Sequence, residues 1–130
     1  MRLKALGAAA LAAGMIASTS LLAAEMGLLF SWNGYPACSS SSPGFTVSGV
    51  PPGTVRLVFR MVGRDMPFYP HGGGTIAYEG RGAIRPGAFS YAGPCPPPGR
   101  QHDYTWTVRA LDAGGNVLAT ASSTQTFPPR

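Results

Sequence analysis

The chain has 130 residues, of which 45% are hydrophobic and 12% charged, so it has room for one small domain and no more. Its formal net charge is +5, but the basic residues are scattered and form no stripe. That pattern excludes a nucleic-acid footprint, which needs clustered Lys and Arg beside a recognisable motif.

The chain opens MRLKALGAAALAAGMIASTSLLAAEM. Arg2 and Lys4 precede an apolar run from Ala5 to Ala17 that is short for a bilayer, and small residues follow to Ala24. This is the shape of a secretory signal peptide, predicted to be cut after Ala24, which leaves 25–130 as a single domain. No transmembrane segment is expected once the leader is removed, and the predicted location is periplasmic or secreted. The eight basic residues that remain are all arginine. Against five acids they leave a net charge of +3, a mild field suited to small anions or an anionic envelope surface.

Gly and Pro recur between short apolar runs, and no sustained helical period follows the leader. Strands are predicted at 28–32, 45–48, 55–62, 75–78, 88–91, 104–111 and 117–127. In VRLVFRMV, alternation places Val55, Leu57, Phe59 and Met61 on one apolar face. Tyr104, Trp106, Val108 and Ala110 form a similar face, and Gly114-Gly115 turns the last two strands into a hairpin. The expected fold is all-β, an antiparallel β-sandwich.

Cys38 and Cys95 are the only cysteines. In an oxidising compartment, with no third thiol to compete, they are expected to pair. On the chain-entropy model, closing that loop contributes roughly 4 kcal/mol.

Enzyme templates fit poorly. No G-x-S-x-G occurs, the histidines are His71 and His102 alone, and their spacing with the acids matches no compact zinc pattern. An acid–base pairing of those histidines with Asp65 or Asp103 stays open as an alternative. The expectation is a protein without catalysis, metal or cofactor. In YAGPCPPPGRQHDYTW, the prolines hold φ nearly constant and cannot donate hydrogen bonds, so the stretch before His102 should form a stiff wall rather than a strand. A wall stiffened in advance loses little further entropy when a ligand docks.

Three stretches taken together, SPGFTVSGVPPGTVRLVF (42–59), RDMP (64–67) with His71 beyond it, and YAGPCPPPGRQHDYTWTVRALDA (91–113), resemble the phosphatidylethanolamine-binding protein family, also called Raf-kinase-inhibitor-like. The resemblance implies a β-sandwich with a small cavity at one end of the strands that accepts phosphate, acetate or a phosphoryl headgroup. It places His102 and Tyr104 on the family's G-x-H-R-Y motif and Gly93, Pro94, Pro96 and Pro97 on its G-P-x-P-P wall. Asp65 and Pro67 fall on D-P-D-x-P, and His71 is the counterpart of the second pocket histidine. Asp65 is the expected carboxylate partner for the imidazole of His102. This chain departs from the pattern at Gly63 and Arg64, which replace the first Asp and Pro. It departs again at Gly72, where Trp is usual, and at Asp103, where Arg is usual. The helical insertions are reduced to Gly-Gly. The implied partner is a small anionic or phosphoryl ligand, such as a phospholipid headgroup. A second possibility is a protein partner in the envelope, a kinase or protease inhibited through the loops.

Overall fold

The computed structural model describes residues 25–130; the predicted leader, residues 1–24, lies outside the described residues. The strands are β1 (Gly27–Phe30), β2 (Phe45–Ser48), β3 (Arg56–Gly63), β4 (Gly73–Ala77), β5 (Ala83–Ile84), β6 (His102–Leu111) and β7 (Val117–Phe127). A three-stranded sheet runs β1-β2-β5 and a four-stranded sheet runs β4-β3-β6-β7. Every pairing is antiparallel. Among the described residues there is no helix.

Alternation accounts for the two layers. Leu57, Phe59 and Met61 of β3 and Tyr104, Trp106, Val108 and Ala110 of β6 point inward. They meet Leu28, Phe30, Phe45 and Val47 of the smaller sheet. Phe45 stands 4.6 Å from Phe59 and edge-on to Trp106 at 5.0 Å, so aromatic rings fill the gap between the sheets. Burying each such side chain contributes about 1.5–3 kcal/mol. The outward face of β6 and β7 carries hydroxyls that pair across the strands, Thr105 with Thr124 at 2.7 Å and Thr107 with Ser122 at 3.0 Å.

Two expectations are corrected. Val55 does not extend the buried face of β3; it lies one residue before the strand and is exposed. Residues 88–91 are not a strand either, for only an isolated bridge joins Ser41 to Ser90, and the smaller sheet takes Ala83–Ile84 instead. The hairpin at Gly114-Gly115 is present, since β6 and β7 are adjacent and antiparallel. Its turn is built on Asp112, whose carboxylate accepts from the backbone N–H of Gly114 at 3.0 Å and of Asn116 at 2.8 Å. The Asn116 amide and these N–H groups hold the Asp112 carboxyl below its ordinary range.

Candidate functional site

The site lies where β3 ends. Gly63 pairs with Tyr104, and the ladder runs on past the strand: Arg64 N–H donates to the Asp103 carbonyl at 2.8 Å, and Asp103 N–H donates to the Asp65 carboxylate at 2.8 Å. The chain then turns at Met66–Tyr69, with Tyr69 N–H donating to the Met66 carbonyl at 3.1 Å. Pro67 and Pro70 flank Phe68, which stands 98% exposed at the tip. The return leg brings the His71 ring beside Gly63 and leads on to β4.

His71 is buried and held at two points by Ala92. Its carbonyl accepts from Ala92 N–H at 2.9 Å, and its ring Nδ1 lies 2.6 Å from the Ala92 carbonyl. A carbonyl can only accept, so Nδ1 donates a proton in either charge state of the ring, and Nε2 has no hydrogen-bond partner among the described residues. The ring packs against Tyr69 at 4.7 Å and meets Tyr104 edge-on at 5.5 Å. The His102 ring is also a neighbour of Tyr104, with ring centroids 6.4 Å apart.

Residues 89–95 form the wall behind His71, fastened to the loop at 38–42. Tyr91 N–H donates to Ser40, Gly93 N–H to Ser39, and Cys38 N–H to the Pro94 carbonyl, at 2.8–2.9 Å. A disulfide joins Cys38 to Cys95 across the same seam. Cys38 has φ 61°, uncommon for a residue with a side chain, and these bonds hold it there. A Cβ on Gly93 would strike the Ser39 carbonyl, so glycine is needed for the two segments to approach.

These elements enclose a cavity of about 320 Å³ lined by Gly63, Met66, Tyr69, His71, Cys95, Pro97, His102 and Tyr104. The lining is aromatic and apolar, with two imidazoles and two phenols as its polar groups and no carboxylate, Lys or Arg. Burial raises the Tyr104 phenol above its ordinary range, the backbone at Cys95 pulls it down, and the charge of Asp65 raises it further.

Of the residues expected at the site, His71, His102 and Tyr104 share this cavity. Pro94 is fully buried and Gly93 buried behind the lining, Pro96 is half-buried, and Pro67 is exposed on the tip loop; none of the four lines it. Asp65 is corrected as well. No hydrogen bond joins it to His102 among the described residues, and its carboxylate caps the backbone of Asp103 instead. The orienting group for an imidazole is the Ala92 carbonyl, and the imidazole is that of His71. Sequence reasoning missed Met66 and Tyr69 as lining residues. The available signal was their place in a short, proline-flanked apolar loop between Asp65 and His71.

Residues 73–127 match the family model for phosphatidylethanolamine-binding protein. The match takes in the proline wall, His102 and Tyr104, and leaves out Gly63 to His71. Among solved structures, Escherichia coli YbcL, described as a new member of the mammalian PEBP family, superposes with a TM-score of 0.58 at 18% identity, over 82% of this chain and 100% of that one. A putative phosphatidylethanolamine-binding protein homologue from Chlamydia trachomatis, CT736, aligns at 18% identity with a TM-score of 0.48, over 82% of this chain and 99% of that one. No curated protein sequence matches this chain.

Proposed function

From the match of residues 73–127 to the phosphatidylethanolamine-binding protein family model and the fold shared with YbcL, we propose that this chain is a member of that family and binds a small anionic or phosphoryl-bearing ligand, such as a phospholipid headgroup, without converting it. One observation carries the reading: two imidazoles converge on one preformed cavity of about 320 Å³, and the fold occupies one nitrogen of His71 while leaving the other free. Such a volume suits a headgroup-sized ligand. Within aromatic walls the local dielectric is low, so a charge-assisted bond from an imidazolium to an oxyanion is stronger than in water. The non-catalytic reading draws support from the surroundings of the histidines. His71 Nδ1 is engaged by a backbone carbonyl rather than a carboxylate, and the only sulfur in the lining besides Met66 is tied in a disulfide. The leader-like residues 1–24 and the disulfide together favour a periplasmic or secreted location.

Titration with inorganic phosphate, followed by NMR of the imidazole signals, tests this. Both His71 and His102 should shift, and His71→Ala should weaken binding by about 1.5–3 kcal/mol, roughly ten- to a hundredfold. Rings that stay unmoved at millimolar phosphate would end the proposal.

A second reading, an envelope protein partner held through the loops, is favoured by the tip at Phe68. A fully exposed aromatic flanked by two prolines, with Met66 and Tyr69 also exposed, is a prepared anchor of the kind that dominates protein interfaces. On this reading, wild-type protein immobilised and challenged with envelope extract retains a partner that Phe68→Ser releases, while phosphate binding is the same in both. Equal recovery on the two columns rejects it.

A further inference from the structure

Gly63 closes β3, paired with Tyr104 in the ladder to β6. Its backbone is not in the left-handed region, so the conformation there does not call for glycine. A strand interior loses stability at glycine relative to alanine. What the residue does provide is space. A Cβ at position 63 would lie 3.3 Å from His71 Nε2 and 3.4 Å from the edge of the Tyr104 ring, tighter than side chains ordinarily pack.

The surroundings of Nε2 are otherwise complete. The ring cannot swing aside, because Nδ1 is bonded to Ala92, Tyr69 packs on it, and Tyr104 stands edge-on to it. Nε2 is also absent from the fully enclosed polar atoms that lack a partner, so it opens to the cavity. Directly beside it, the side-chain position of residue 63 is unfilled.

We propose that Gly63 is a specificity-determining residue: its missing side chain forms the recess through which one ligand oxygen reaches His71 Nε2. The inference rests on the anion-binding reading above and deepens it, by assigning the subsite for the charged oxygen. The recess admits the end of a phosphoryl, carboxylate or carbonyl group to Nε2, and a side chain at position 63 would occupy it. Any side chain at position 63 covers Nε2 and leaves His102 as the remaining imidazole for the ligand.

The test compares wild type with Gly63→Ala and Gly63→Ser by three measurements. Thermal unfolding reports folding, and both variants should keep a single cooperative transition within a few degrees of wild type, the strand's preference for a side chain offsetting the tight approach to His71. Carbethoxylation by diethylpyrocarbonate, mapped by peptide mass, reports access to Nε2 without any ligand. His71 should react in wild type and react roughly tenfold or more slowly in the variants, the least that one misfitting carbon costs in a close-fitting site. His102 should react at the same rate in all three. Inorganic phosphate should shift the His71 ring in wild type only. His71 that fails to react in wild type, or reacts equally in the variants, overturns the inference even if phosphate binds. Slowed carbethoxylation in a protein that binds no phosphate upholds the recess at Gly63 and defeats the anion-binding reading instead.

Discussion

At the scale of single residues, the difference between Asp65 and Ala92 is instructive. A carboxylate close to a histidine in sequence invites the role of orienting group. Here Asp65 accepts a backbone N–H from Asp103 and finishes the β3–β6 ladder, while a plain backbone carbonyl sets the His71 tautomer. No side-chain pattern announces a carbonyl, because every residue has one. The tyrosines yield a checkable consequence. Burial, then the hydrogen bond to Tyr35, raises the Tyr91 phenol far above its ordinary range, and burial also raises Tyr104. The folded chain therefore keeps protons that the unfolded chain releases. Their stabilising contribution is intact below the unfolded phenol value of about 10 and is lost as pH rises above it. In an alkaline titration followed by phenolate absorbance, Tyr91→Phe should match wild type in its reversible phase. A loss of about a fifth of that amplitude, one tyrosine in five, would contradict the burial argument.

At the scale of elements, legibility follows length. β6 and β3 could be read because eight or more residues give alternation several chances to repeat, and their inward residues are the expected ones except for Val55, which falls just outside β3. β5 has two residues and no period to read. Residues 88–91 carry apolar side chains, yet their partner is the irregular, proline-bounded loop at 38–42, which supplies scattered bonds rather than a ladder. The wall was legible as a stiff segment for the reason given by its prolines. That Pro94 would be buried, with Cys95 and Pro97 exposed to the cavity, was not, because its orientation is set by the seam to Ser39 and Cys38.

For the whole molecule, the disulfide joins two loops that the sheets do not otherwise tie together. The closed loop spans 57 positions, and on the chain-entropy model its loss costs roughly 4 kcal/mol, a large share of the stability of so small a domain. Denaturant unfolding of a Cys38→Ala, Cys95→Ala double variant should show that deficit. Phosphate affinity should fall with it, because Cys95 belongs to the cavity wall. A deficit below about 1 kcal/mol would show that the loop is held by its hydrogen bonds alone.

The amino-acid order by itself determined the layered all-β architecture, the pairing of the two cysteines and the stiffness of the segment before His102. Each depends on local spacing or on a residue's own chemistry. Only the tertiary structure decided which groups face the cavity: Gly63 beside His71, the Ala92 carbonyl on Nδ1, and Met66 and Tyr69 in the lining. Those positions depend on contacts between segments far apart in the chain, and no local period encodes the side from which a distant backbone arrives.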